Sequence, residues 1–457
     1  MLQDRQNQQA TNHNCDSNGC AGYKGGAENL RVAVFGLGYV GLPLALSFAL
    51  RGCRVVGVDT NAELVAELNA GITYHQEQYQ GEGIQSILRR QLEAGRFTAT
   101  TIAAQAMESC DNIIITVGLP VHDGEPFAGY LEECCRDIAR GLKKGDLVVV
   151  RGTLVPGMTR RLVLPLLEES GLKAGRDFAL AYSSERIAEG RAFEEFVTMP
   201  GLVSGLTENC RARARRLLAV VTEAPLHPAS SFEVVETAKV VENISRDVNI
   251  ALVNELARFT KELGVDVFEV IALANTHQRV KLLQPGPGVG GYCLPNALYY
   301  LDAAARRLGV PLELMHTARR VNEEMPRHVV NLVLRRLSVP PSQAKIAVLG
   351  LAMKDYSGDD RLSPALTICQ LLLDAGLQVA AFDPAVQTQY NFKVDNMRAA
   401  LSGAHGVVAL ARQHGIDFTD WDLFLSCLDR TGTPFIIDTK QIYRGVSVPS
   451  GIVVESI

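Results

Sequence analysis

Cys293 follows a run that neither a helix nor a strand tolerates, Pro285-Gly-Pro-Gly-Val-Gly-Gly-Tyr292. Glycine and proline at this density force an irregular loop, let its backbone approach a ligand, and present the thiol at its edge, as a nucleophile is displayed. Upstream, Lys239, Asn243 and Asp247 recur every four residues, so a helix would project all three from one face. A salt-bridged surface is the ordinary reading of that spacing. Against it, Val240, Val241 and Ile244 make the segment apolar, and a buried lysine or asparagine needs partners or a task. Thr153 and Glu185 each follow a strand-like run, Asp146–Val150 and Phe178–Tyr182. Ligands bind at the carboxyl ends of strands in a doubly wound sheet, although either residue alone reads as a cap or a solvated loop position.

A second pattern concerns phosphate. The run Leu30-Arg-Val-Ala-Val-Phe35 reads as a buried strand, Gly36-Leu-Gly38-Tyr39-Val40-Gly41 as a turn, and Leu42–Leu50 as a helix. A further strand, Arg54–Val58, ends in Asp59. The glycines permit the tight turn and let a pyrophosphate sit at the helix N-terminus, while Asp59 can accept from ribose hydroxyls. Asp59 would repel a 2′-phosphate, and Thr60-Asn61 supplies no arginine to hold one, so NAD is expected rather than NADP.

The elements that must position these residues follow from the rest of the chain. Its 457 residues imply about three domains. The composition is 47% hydrophobic with charges throughout, and no run of 18 apolar residues occurs, so no membrane partner is expected. A formal charge of −5 without a basic face argues against nucleic acid and for a small ligand. The ten cysteines include no C-x-x-C pair, which favours reduced thiols in a cytoplasm and neither a disulfide framework nor a metal site. Residues 1–29, with Cys15 and Cys20, read as a disordered tail. Residues 30–228 read as an α/β nucleotide-binding domain. Residues 229–337 form a central helical region whose long helix, Ser231 to Leu263, carries a broad apolar stripe at Val235, Ala238, Val241, Ile244, Val248, Ala251, Leu252 and Leu256. That width predicts burial on several sides. After Ser338-Val-Pro-Pro-Ser342, residues 343–457 repeat the α/β alternation but lack the glycine fingerprint after Gly350. The expected architecture is therefore α/β: two Rossmann-like doubly wound domains joined by a central helical region.

Several motifs in this order resemble one family. Glu242–Glu255, Gln278-Arg-Val280, Leu283–Cys293 and Asp359-Asp-Arg-Leu-Ser363 are similar to the UDP-glucose/GDP-mannose dehydrogenases, most of all the UDP-N-acetylmannosamine and UDP-N-acetylglucosamine 6-dehydrogenase branch. The resemblance runs from about residue 30 to the C-terminus. It implies oxidation of a sugar CH₂OH to a carboxylate with two NAD⁺ in turn. Lys239 and Asn243 would hold the C6 oxygen, Cys293 would carry a thiohemiacetal and then a thioester, and Glu185 would help water hydrolyse it. It further implies a UDP-sugar contacted by Arg186, by Gly288, Gly290 and Gly291 of the loop, and by Lys354, Arg361 and Lys440. Arg279 would reach a neighbouring subunit's site, which implies a homodimer through the central helix.

Four positions depart from the family pattern. Ala297 replaces an acid four residues after the thiol, Tyr292 a histidine, Ser184 the proline of a Pro-Glu-Arg motif, and Leu119 a threonine. Three readings stay open on the sequence: an active 6-dehydrogenase, a related enzyme that stops at the aldehyde, and a non-catalytic nucleotide-sugar binder. The retained Cys293, Lys239, Asn243 and Glu185 argue against the last, which needs no thiol nucleophile.

Overall fold

A computed structural model describes residues 27–457 apart from Glu189. Most of the tail expected over residues 1–29 lies outside the described residues, with Cys15 and Cys20. Its last three residues, Ala27–Asn29, are not irregular but form a 3₁₀ turn. The described chain divides into two compact units: residues up to Leu119 with Ala128–Glu236, and Pro120–Phe127 with Thr237–Ile457.

The first unit is built on eight strands: β1 Arg31–Phe35, β2 Arg54–Val58, β3 Phe97–Thr100, β4 Asn112–Ile115, β5 Leu147–Val150, β6 Ala179–Tyr182, β7 Gly201–Gly205 and β8 Leu226–Pro228. Their order in the sheet is β8-β7-β6-β5-β4-β1-β2-β3, and every pair is parallel except β6–β7. Runs such as Asn-Ile-Ile-Ile and Leu-Val-Val-Val are buried on both faces, as a parallel sheet covered by helices requires. Helix α1, Gly41–Leu50, is apolar all round, and Leu42, Leu44, Leu46 and Phe48 are fully buried. The chain winds outward from β1 in both directions, so the loops after β1 and β4 flank the crevice where such sheets bind ligands.

The second unit holds helices α2 Phe232–Leu263 (from Thr237), α3 Val267–Ala274, α4 Cys293–Leu308, α5 Glu313–Arg336 and α6 Pro364–Asp374. It also holds five parallel strands: β9 Lys345–Leu349, β10 Gln378–Phe382, β11 Gly406–Ala409, β12 Phe435–Asp438 and β13 Val453–Ser456. These run in the order β10-β9-β11-β12-β13. Alternate residues of β9 face opposite cores. Ile346 and Val348 meet Met325 and Val329 of α5, while Ala347 and Leu349 meet Phe424.

The expected burial of α2 on several sides does not hold within the chain. Val235, Ile244 and Ala251 are buried, but Val241 and Leu252 are 44% and 49% exposed. Strands β4, β9 and β10 stop at Ile115, Leu349 and Phe382. At Gly350 the reason is a left-handed φ of 90° and a close crossing: an added Cβ would lie 2.4 Å from the Ala411 carbonyl oxygen.

Candidate active site

The loop after β1 fits a dinucleotide. Gly36 adopts φ 90°, and Thr116 Oγ1 donates to its carbonyl at 2.7 Å. A Cβ at Gly41 would lie 1.7 Å from the Gly36 oxygen, so only glycine lets α1 start this close to the loop. A Cβ at Gly38 would meet nothing within 4 Å, which leaves an open approach at the N-terminus of α1. The half-exposed Asp59 accepts from Leu37 N at 2.8 Å and from Asn61 N at 3.0 Å. Tyr39 borders this loop, its ring 5.2 Å from buried His75 and 5.7 Å from Tyr74. Burial pushes the His75 imidazole down to about 4, against a smaller opposing effect of a hydrogen bond with the Leu37 backbone.

The second sheet also has an acid after its second strand, but this one is already engaged. Asp383, also placed after the second strand, is 1% exposed. It accepts from the backbone N–H groups of Leu351, Ala352, Ala385 and Val386 and from Gln413 Nε2. A carboxylate offers about four lone-pair sites, so Asp383 is consumed by its own fold, whereas Asp59 is not.

Around the thiol, Cys293 is exposed and begins α4. The positive end of that helix therefore lies where charge would develop on sulfur or on a carbonyl oxygen bonded through it. Asn243 of α2 is buried and donates from Nδ2 to the Cys293 carbonyl at 3.1 Å. Lys239, one turn earlier on the same face, is half-buried with no hydrogen bond or ion pair among the described residues. Asp247, the third residue of that row, is structural. It is 4% exposed and accepts from Arg319 Nη1 at 3.0 Å and Asn322 Nδ2 at 2.9 Å. Burial raises its carboxyl above the usual range, with Arg319 opposing.

Three glycines of the loop answer to packing. A Cβ at Gly288 would lie 3.2 Å from Pro364, at Gly290 2.7 Å from the Leu362 oxygen, and at Gly291 2.5 Å from Met353 Sδ. Gly291 N also donates to the Arg361 carbonyl at 3.0 Å. Arg361 sits over the Tyr292 ring at 5.2 Å and grips Asp359 with Nε at 2.7 Å and a second bond from Nη2. Lys440 and Arg412 flank Asp355 at 3.8 and 3.3 Å, and Lys354 is half-buried in the same segment. Arg279 is exposed on the loop after α3.

In the first unit, Glu185 Oε2 accepts from Arg151 Nε at 2.8 Å. Its Oε1 accepts from the backbone of Arg186 and Ile187 at 2.6 and 2.9 Å. Three of about four acceptor sites are taken, leaving one for a water. Arg186 donates from Nη1 to the Pro200 carbonyl at 2.6 Å. Thr153 is half-buried in the loop after β5.

Family models match three stretches: the NAD binding domain of the UDP-glucose/GDP-mannose dehydrogenase family over residues 30–222, its central domain over 233–324, and its UDP binding domain over 347–445. The chain belongs to the UDP-glucose/GDP-mannose dehydrogenase family. A UDP-N-acetyl-D-mannosamine dehydrogenase of Pyrococcus horikoshii is 35% identical over 396 residues, 86% of this chain and 92% of the relative. A UDP-N-acetyl-D-glucosamine 6-dehydrogenase of Pseudomonas aeruginosa is 33% identical over 397 residues, 85% and 91% of the two chains. The solved structure of the UDP-D-ManNAc dehydrogenase from Pyrococcus horikoshii superposes with a TM-score of 0.86 at 34% identity, covering 94% of this chain and 99% of that one. As a member of this family the chain is an NAD-dependent oxidoreductase, and no helix among its described residues is long and apolar enough to cross a membrane.

Within each unit the residues singled out by sequence fall into groups: Gly36, Gly38, Tyr39, Val40, Gly41 and Asp59 in one, Lys239, Asn243 and Cys293 in another. Sequence reasoning missed Arg151 as the partner of Glu185. It also missed the polar seam of α2. Asn249 accepts from Leu283 N at 2.8 Å and Asn254 from Gly286 N at 2.9 Å, and together they pin the chain leading to Cys293. The signal was available: asparagine is unfavourable inside a helix, and α2 contains three.

Proposed function

We propose that this chain oxidises the C6 hydroxymethyl of a UDP-N-acetylhexosamine, of the N-acetylmannosamine type, to the carboxylate. The observation that carries this reading is the Asn243–Cys293 contact beside an unpaired Lys239 on the same helical face, in a chain whose relatives carry UDP-N-acetylhexosamine dehydrogenase names. When bound, the dinucleotide supplies the hydride acceptor. Lys239 and Asn243 hold the C6 oxygen and offset its developing charge. Cys293 Sγ bonds to the aldehyde carbon while the thiol proton passes to the oxygen. After the second oxidation, water activated at the remaining acceptor site of Glu185 cleaves the S–C bond and restores the thiol. Thr153 borders the dinucleotide. Lys354, Arg361 and Lys440 bind the uridine diphosphate, and Arg186 and the loop of Gly288, Gly290 and Gly291 line the sugar.

The protein acts as a homodimer in the cytoplasm. The dimer is supported by the apolar surface of α2, where Val241, Leu252, Phe259 and Leu263 are 44–62% exposed, and by the exposed Arg279. The cytoplasm is supported by eight free thiols among the described residues. The test is incubation of purified protein and NAD⁺ with a panel of UDP-sugars, counting NADH per sugar consumed. Two NADH and an acid from a UDP-N-acetylhexosamine is the expected result; no NADH from any of them overturns the reading.

A further inference from the structure

Tyr292, the residue before the thiol, is one of the four positions that depart from the family pattern. It is 50% exposed, yet its backbone is fixed on both sides. Its carbonyl accepts from Asn296 N at 3.1 Å in the first turn of α4, and Gly291 N just before it donates to the Arg361 carbonyl at 3.0 Å. Gly290 crosses the same segment closely, since a Cβ there would lie 2.7 Å from the Leu362 oxygen. The loop that ends at Cys293 and the segment Asp359–Leu362 therefore form one seam. Across it the Arg361 guanidinium carbon lies 5.2 Å from the centre of the Tyr292 ring, within the roughly 6 Å reach of a cation–π contact. One edge of that guanidinium is held by Asp359, which accepts from Nε at 2.7 Å and from Nη2 and whose side chain is 1% exposed. Asp359 and Tyr292 thus fix the cation on two different surfaces. The in-plane pair alone leaves the guanidinium free to tilt about its two bonds, and a ring against the face removes that freedom.

We propose that Tyr292 is a positioning residue for the nucleotide: its ring holds the face of Arg361, so that the guanidinium meets the uridine diphosphate in one orientation. This rests on the function proposed above, in which Arg361 binds that diphosphate. Tyr292 acts through Arg361 on affinity and not on the chemistry at C6. The contact uses the ring face, so the hydroxyl is dispensable: phenylalanine can take the position, and an aliphatic or amide side chain cannot.

The test is calorimetric titration of UDP into the parent, Tyr292→Phe, Tyr292→Leu and Tyr292→Gln, each checked for folding by thermal melting. Tyr292→Leu and Tyr292→Gln should each weaken UDP about three- to tenfold, the range expected when a cation–π contact is lost, and Tyr292→Phe should stay within about twofold of the parent. Arg361→Gln should weaken UDP in its own right, and adding Tyr292→Leu to it should cost less than about twofold more, because the ring acts only through the guanidinium. With a UDP-sugar and NAD⁺, KM should rise in step with the UDP Kd while kcat stays within about twofold, as when binding common to ground and transition states is removed. An equal loss in Tyr292→Phe, additive losses in the double variant, or a lower kcat at unchanged KM overturns the inference. A parent that binds no UDP overturns the proposed function and this inference with it. A parent that binds UDP while Tyr292→Leu and Tyr292→Gln bind it equally well overturns this inference alone.

Discussion

Removing the Asp59 carboxylate should erase the preference for NAD⁺ over NADP⁺. Asp59 is held by Leu37 N and Asn61 N at the end of β2, so its charge is fixed where the adenosine ribose of a dinucleotide on this loop must lie. A phosphate charge about 5 Å away at an effective dielectric near 20 would be repelled by about 3 kcal/mol. A phosphate carries more than one charge, but half-exposure and salt reduce the effect, which leaves about 2–3 kcal/mol or roughly 30- to 150-fold. The informative variant is Asp59→Ser with Thr60→Arg. Thr60 is exposed, whereas Asn61 must stay because its side chain caps the following helix through Glu63 N and Leu64 N. Serine also forfeits a charge-assisted bond to the ribose, about 1.5–3 kcal/mol, so NAD⁺ should weaken while NADP⁺ tightens. Calorimetric titration of both dinucleotides into parent and variant reads the ratio directly. A ratio that moves by less than about threefold, in a variant that melts normally, refutes the placement of Asp59.

Lys239→Ala should abolish both oxidations, with at least about a hundredfold loss in the first, while calorimetric NAD⁺ affinity is unchanged; a normal first oxidation would remove Lys239 from the site. Because the native His75 imidazole lies near 4 and an unfolded one near 6.5, the unfolded chain takes up the proton first as pH falls. Stability should therefore drop between about pH 6.5 and 4 by about 3 kcal/mol through this residue. Melting of His75→Asn across that range should show a shallower decline than the parent, and parallel curves would refute the buried neutral imidazole. Ala297→Asp would place a carboxylate at a fully buried position, so it should lower the melting temperature without raising turnover. A gain of about tenfold or more in kcat would show instead that the missing acid is a defect.

Much of this was legible in the sequence because local rules decided it. The glycine turn after β1, the acid after β2 and the glycine-proline run before Cys293 each constrain backbone within a few residues, and each stands where its spacing placed it. The i, i+4 row Lys239, Asn243 and Asp247 was also read correctly as one face. What the row could not reveal is that Asp247 would be taken by Arg319 and Asn322, more than seventy residues away. Arg151 was hidden for the same reason, since its partner Glu185 stands in the loop after the next strand of the sheet. The apolar stripe of α2 misled because hydrophobic spacing reports how much surface avoids water, not whether the same chain covers it. The resemblance implied substrate contacts by the loop glycines, but not that their Cβ positions are taken up by Pro364, Leu362 and Met353. Nothing in the local sequence of the loop names those neighbours.

The central claim is that one thiol separates the two halves of the oxidation. It is tested most directly by counting NADH released per UDP-N-acetylhexosamine consumed by Cys293→Ser beside the parent. The parent should release two NADH and free acid. The variant should stop after one, or hold a stable ester on the new serine. Release of two NADH and free acid by Cys293→Ser at the parent rate would contradict the account.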